Sequence, residues 1–440
     1  MRILLTNNTL DARAGTELYL CEIAEALLAA GHEPMCFSLK LGAQSDRLLQ
    51  LGIPVSDDLR ALPGPPDVIH GQHIIETTLA AMTYRRVPVI SVCHSPEAWQ
   101  ESACRLPNVV RWIVVDQDCR RRWVEEENVD AARVTVLLNH FDNRKFHPRS
   151  PLPAKPRRAL LASNYLVPEH PAVLAARAAC EARGIELCTV GTSLGGNVEN
   201  LETLFPEFDL VFAKGRVALE AAAVGCAVMQ LEFFGAGHLA RTENYDELRD
   251  YNFGYHTMRL PLDAEVIGRE MDRYDPVDAA LFSQRIREEA TLEKTMASLI
   301  PLYAEAAAMA GSLTDYDPMI AGADFLRFQL HLSKIPMDSL RKTQGVPLRL
   351  PSFPVGNLQK SWEAIAAQHQ TFASLRLAAR QGERKEKMEA LRSKHADLLA
   401  RHSELFEKYK ALKNRPAPAP PKPPLTFFQK LRRLLSGAAD

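Results

Sequence analysis

Short apolar runs alternate with amphipathic stretches through the first three hundred residues, and this alternation predicts the elements. Met1–Ser38 holds an apolar run (Ile3, Leu4, Leu5), a polar loop, an amphipathic stretch from Thr16 to Ala30, a Gly31-His32 turn and a second apolar run at Met35–Ser38. Strand, loop, helix, turn and strand follow from it. The pattern recurs as a strand at Asp67 (DVIHG), a helix from Thr77 to Tyr84, and strands starting at Val87 (VPVISVCH), Trp112 (WIVVD) and Arg133 (RVTVLL). Runs this short and apolar throughout suit a parallel sheet covered by helices on both faces. Prolines and charges from Lys145 to Arg158 interrupt the series and read as an interdomain linker.

A second series begins at Ala159 with a strand (ALLASN), a helix to about Arg183, and strands at Glu186 (ELCTVG) and Asp209 (DLVFA). A helix ending at Gly225 and a strand at Ala227 (AVMQLE) follow. Residues 276–310 are helical and charged and would close this second half, although chains of this build often return a final helix to the first. The predicted fold class is therefore α/β, with two doubly wound, Rossmann-like domains over residues 1–145 and 159–310. The carboxyl ends of the two sheets would meet at a cleft.

The character changes after residue 310. Residues 311–380 read as a helical or irregular extension with scattered prolines. Over 382–414, Met388, Leu391, His395, Leu398, His402, Leu405, Tyr409 and Leu412 alternate at spacings of three and four, which predicts a coiled coil and a homodimer through 388–412. Residues 415–440 combine a proline-rich spacer with a basic amphipathic helix. In that helix Phe427, Phe428, Leu431, Leu434 and Leu435 oppose Lys430, Arg432 and Arg433. Such a helix suits either an anionic membrane surface, through 425–435, or a partner protein.

Charge sharpens this division. Residues 382–440 hold 14 Lys/Arg against 7 Asp/Glu, so a chain of formal net charge -1 has a basic tail and an acidic body. An acidic body argues against a broad nucleic-acid surface. Hydrophobic residues at 46% and charged residues at 24% exclude a disordered or collagen-like chain. The eight cysteines form no Cys-x-x-Cys pair and read as reduced thiols. The N-terminal sequence predicts neither a signal peptide nor a membrane span there, so the expected location is cytoplasmic, with the tail reaching the inner membrane face.

Candidate chemistry lies at strand ends. Gly15 and Thr16 stand where the first helix begins, a geometry that suits phosphate or carboxylate. His94 ends a buried strand and would face the cleft. His70 and His73 have ligand-like spacing but no third ligand nearby, so no metal is expected. The segment DLVFAKGRVALEAAAVG brings Lys214, Gly215 and Arg216 to a helix start, with Glu220 one turn in. Cations and free N–H groups neutralise a diphosphate, and a carboxylate a turn deeper accepts the hydroxyls of a ribose. A further glycine-bearing loop is expected at Phe234–His238, where Gly235 would cover a ligand or merely turn the chain.

The Gly15-Thr16-Glu17 loop, the Gly31-His32 turn, DVIHG at Asp67, the strand ending in His94, VTVLLNHFDNRKF from Val134 and GRVALEAAAVG together resemble the retaining glycosyltransferases of the family-four type, over residues 1–305. The resemblance implies a GT-B arrangement of the two domains, with the acceptor on the first and the nucleotide sugar on the second. It implies sugar transfer from a nucleotide diphosphate sugar to a glycan without a metal or bound cofactor. It assigns Glu220 to the donor ribose, Gly15 and Thr16 to donor phosphates or acceptor, and His94, as the catalytic candidate, to the transferred sugar; Asn139 would fix the interdomain turn. The sequence departs from the family where Phe212 replaces the first of two paired glutamates, and where Ser163-Asn164-Tyr165 lacks the usual cations. Lys214 and Arg216 are the expected substitutes. Three other readings stay open: a non-catalytic nucleotide-sugar-binding or scaffolding protein on this fold, a coiled-coil adaptor, and a sugar-nucleotide epimerase.

Overall fold

A computed structural model of the chain describes residues 1–11, 13–195 and 200–332. The expected coiled coil, proline spacer, basic helix, dimer contact and membrane contact, and most of the 311–380 extension, lie outside the described residues.

The first sheet is built from β1 (Arg2–Asn7), β2 (Glu33–Ser38), β3 (Val55–Ser56), β4 (Val68–Gln72), β5 (Val89–Cys93), β6 (Val109–Val114) and β7 (Val134–Val136). Its order is β3-β2-β1-β4-β5-β6-β7 and every pairing is parallel. Helices α1 (Gly15–Ala29), α2 (Ala43–Gln50), α3 (Ile74–Thr83) and α4 (Gln117–Arg121) connect the strands. Burial on both faces explains why the strands read as unbroken apolar runs. Strand order reverses between β1 and β4, so the loops leaving these two strands part and open a crevice at their carboxyl ends.

The second sheet contains β8 (Arg158–Ala162), β9 (Glu186–Val190), β10 (Leu210–Ala213), β11 (Ala227–Glu232) and β12 (Gly235–Leu239), in the order β12-β11-β10-β8-β9. Its helices are α5 (Pro171–Glu181), α6 (Leu201–Leu204), α7 (Gly215–Val224), α8 (Tyr245–Asp250), α9 (Ala264–Met271) and α10 (Pro276–Glu289). All pairings are parallel except that of β12, which runs antiparallel to β11. Here the order reverses between β8 and β10.

Two expectations need correction. The Gly235 segment is no loop: it forms β12, where a Cβ at Gly235 would stand 2.9 Å from the carbonyl oxygens of Met258 and Leu260. Its glycines answer a close approach of neighbouring chain rather than a turn. Phe141 and Phe146, on either side of the expected boundary at residue 145, are buried in the second core. The stretch from Pro276 to residue 310 splits into two helices with different destinations. Helix α10 packs on the second domain, whereas α11 (Leu292–Ala308) crosses back and inserts Leu292, Met296, Leu299, Tyr303 and Ala306 into the core of the first. The backbone turns at this crossing against the interdomain connection: Phe141 N–H donates to Ala290 and Leu292 N–H donates to Phe141, each at 3.0 Å. A twelfth helix, α12 (Pro318–Leu332), follows beside α3, and Tyr316 just before it donates its hydroxyl hydrogen bond to Ala81.

Candidate functional site

Helices α1 and α7 start at the two crevices, and neither has a side-chain cap. Ala14 precedes α1 and Lys214 precedes α7, so no N-cap side chain takes up the first backbone N–H groups of either helix; in α7 the Gly215 N–H donates instead to the Phe253 carbonyl at 2.9 Å. Gly15 is exposed, a Cβ added to it would meet nothing within 4 Å, and Thr16 Oγ1 donates to Glu17 at 3.2 Å. Gly215 has φ +56°, a left-handed conformation that glycine adopts without strain and that swings the chain from β10 into α7.

Arg216, in the first turn of α7, spans the two domains. Its Nε donates to Glu220 at 2.6 Å, and its Nη2 reaches both oxygens of Glu22 on α1 at 2.6 Å. Glu22 also meets His140 Nε2 at 3.3 Å and Lys145 Nζ at 3.4 Å. Burial alone would push the Glu22 carboxyl up, but Arg216, His140 and Lys145 outweigh it and hold the group well below the usual carboxylate range. Glu220 moves the other way: burial raises it, with Arg216 only partly offsetting the effect. The ion pair joins the expected donor residues to the first domain, which the sequence alone did not indicate.

His94 follows β5 as expected. Its backbone N–H donates to Glu101 at 2.8 Å, and its ring stands edge-on to Tyr19 at 4.7 Å between centroids. Burial pulls its pKa down to about 4 against the pull of Glu101, so the ring is neutral near pH 7 and its Nε2 has no partner among the described residues. Tyr19 also touches His70 and His140. Both histidines of the HGQH segment are engaged through one ring nitrogen or more, while His70 Nε2 is buried without a partner among the described residues. His70 Nδ1 bonds Tyr303 Oη at 2.8 Å, and His73 lies between the Asn8 N–H and the Glu101 carboxylate. No group of three or more His, Cys, Asp or Glu side chains placed to hold a metal occurs among the described residues.

Lys214 occupies the second crevice. Its ammonium lies 4.0 Å from Glu232 and within 5.4 Å of the ring centres of Tyr165, Phe233 and Phe234. Burial lowers its pKa, and Glu232 and Glu97 oppose that. Ser163, at the position where the family's cations were missed, donates to Glu232 at 2.9 and 3.0 Å. A carboxylate thus sits beside the end of β8, and Lys214 is the cation that faces it. Phe212 is wholly buried in the second core, so no carboxylate can enter the cleft from that position.

Gly15, Thr16, His94, Lys214, Gly215, Arg216 and Glu220 therefore all border the two crevices; Gly235 opens β12, directly after the Phe233-Phe234 turn and paired with Glu232. Sequence reasoning missed Glu22, Glu101, His140 and Glu232. Glu22 carried a usable signal, since it falls among Tyr19, Ile23 and Ala26 on the inward stripe of α1, where a carboxylate is costly without a partner.

Residues 13–145 match the model of glycosyltransferase family 4. The first domain is that of a family-four glycosyltransferase. The resemblance read from the sequence holds there, and the solved structures extend the fold to the second domain. A glycosyltransferase from Rickettsia africae is 14% identical with a TM-score of 0.52, covering 69% of this chain and 98% of its own. HepE from Anabaena, solved with UDP and glucose, is 15% identical with a TM-score of 0.51, covering 69% of this chain and 100% of its own. In complex with UDP-glucose it is 16% identical with a TM-score of 0.50, covering 71% and 100%. At such identities the likeness is one of fold, and that fold is GT-B. No curated protein matches the sequence.

Proposed function

We propose that this glycosyltransferase moves a sugar from a nucleotide diphosphate sugar to a hydroxyl of a glycan, with retention of anomeric configuration and without a metal. The observation that carries the reading is the start of α7. Uncapped N–H groups, Lys214 and Arg216 converge there, Glu220 lies one turn deeper, and neutral His94 stands across the cleft. Positive charge fixed before the reaction stabilises a leaving diphosphate at little reorganisation cost. Glu220 would take the ribose hydroxyls with the oxygen that Arg216 leaves free. A neutral imidazole at His94 accepts or donates one hydrogen bond to a sugar hydroxyl without placing a second charge beside Arg216. HepE, of the same fold, binds UDP and UDP-glucose, and this makes a uridine nucleotide the first donor to try.

Retention and a polysaccharide or envelope glycan as acceptor come with the family resemblance. A cytoplasmic enzyme reaching the inner membrane face through 425–435, and dimerising through 388–412, completes the proposal; among the described residues no helix is long and apolar enough to cross a membrane.

The test is a thermal-shift screen against nucleoside diphosphates and nucleotide sugars, repeated with Glu220→Ala. A ligand bound only by the folded state raises Tm by an amount set by concentration over Kd. A rise with one base that vanishes in the variant, followed by sugar transfer from that donor, is expected. No rise with any nucleotide at millimolar concentration sinks the reading and favours the scaffold.

A further inference from the structure

Glu22 is a buried carboxylate on the first domain whose strongest partner belongs to the second. It is 2% exposed, and it accepts both hydrogen bonds from Arg216 Nη2 while His140 and Lys145, from the interdomain connection, hold it from the other side. Three segments, α1, α7 and the interdomain connection, therefore meet at one group. A buried ion pair of this kind adds little net stability over a well-packed apolar pair, because desolvation cancels much of the attraction. What it fixes is one arrangement of its parts.

That arrangement decides where the guanidinium points. Nε is taken by Glu220 on the same helix and Nη2 by Glu22, so Nη1, buried and without a partner among the described residues, is the edge left for a third acceptor. With α1 drawn away from α7, only the Glu220 bond would remain, and the outer end of the side chain would regain its rotamers. With α1 in place, both fixed bonds orient Nη1.

We propose that Glu22 is a positioning residue: by clasping Arg216 it couples closure of the two domains to the presentation of Arg216 Nη1 to the donor diphosphate. The kinetic part rests on the function proposed above; the closure part stands without it. Donor binding to the second domain does not need Glu22, whereas turnover does. The role is one of aim, since Glu22 itself touches Arg216 and not the reacting atoms.

The experiment compares the full-length wild type with Glu22→Gln, Glu22→Asp and Arg216→Lys. Small-angle scattering without ligand reads closure, calorimetry reads UDP binding, and steady-state transfer from the UDP-sugar reads kcat and KM. Glu22→Gln is expected to increase the radius of gyration, to leave the UDP Kd within about threefold, and to lower kcat at least tenfold with donor KM little changed. Glu22→Asp, which keeps the charge, recovers part of kcat. The Glu22→Gln/Arg216→Lys double variant is no worse than the poorer single one, as expected when two groups act as a unit. An unchanged radius of gyration overturns the proposal, as does a loss of UDP affinity as large as the loss of kcat. A lower Tm with unchanged kcat reduces Glu22 to a structural contact and also overturns it. If wild type neither binds UDP nor transfers a sugar, the function reading is what fails, and the scattering comparison alone decides the clasp.

Discussion

Glu76, in the first turn of α3, is buried, and burial raises its carboxyl pKa from 4.5 to about 7 against the pull of His73. A carboxyl whose folded pKa lies above its unfolded one holds its proton more tightly in the folded protein. The sign follows: the folded state loses stability as pH rises from about 4.5 through 7. Glu76→Gln removes that titration. Melting curves should show the variant gaining on wild type by up to about 3 kcal/mol at pH 8, with the gap closing near pH 4.5. A gap independent of pH would mean that Glu76 is not protonated in the fold. The same scale explains why candidate residues were visible in the sequence and their partners were not. Glycine, histidine and arginine at strand ends stand out by position. Glu101 and Glu232 are ordinary residues until folding brings His73 and His94 to the one and Ser163 and Lys214 to the other, Ser163 from 69 residues away.

Helix α7 shows how one element divides its duties between its ends. Its last turn closes on Gly225, at φ +102°, whose N–H donates to Ala221 and Ala222. A side chain there is strained, so Gly225→Ala should cost about 1–2 kcal/mol in a denaturant titration while leaving UDP affinity intact. Lys214→Ala at the other end should do the reverse, weakening UDP at least tenfold, about 1.4 kcal/mol, by calorimetry. Equal UDP affinity in Lys214→Ala would remove that lysine from the donor site. Element type was legible wherever burial set the pattern: the parallel strands are short and apolar because both faces are covered. Two strands escaped. β3 is two residues long, and β12 reads as a turn because neighbouring backbone and Gln230 leave room only for glycine at 235 and 237. In both cases tertiary contact, rather than local preference, made the strand.

Across the whole molecule the two domains share more than a cleft. Asn252 and Arg249 of the second domain bond Asn139 in the connection at 3.1 and 3.2 Å, His256 meets Asp118 at 3.5 Å, and α11 completes the first core from beyond the second. Leu299, wholly buried in that core, is the residue to remove. Leu299→Ala should lower unfolding free energy by about 2–5 kcal/mol, whereas Leu281→Ala on the exposed side of α10 should stay within about 0.5 kcal/mol. Matching small losses would show that α11 is a mere appendage. The sequence revealed two halves and their order and left this exchange open, because an amphipathic helix announces that it will bury a face without naming the sheet that receives it.

The return of α11 also sets a schedule for synthesis. Once residue 137 has left the ribosome, all seven strands of the first sheet are available, yet the helix that covers one side of it ends only at residue 308. At the usual pace of translation that gap lasts roughly ten to thirty seconds. During it the second domain is made and folds as an insertion, while the seat of Leu292, Met296, Leu299 and Tyr303 stays bare. A message truncated late in this interval, after α10 but before α11 is complete, yields a product with a finished second half and an open apolar face on the first, a ready target for chaperones and proteases.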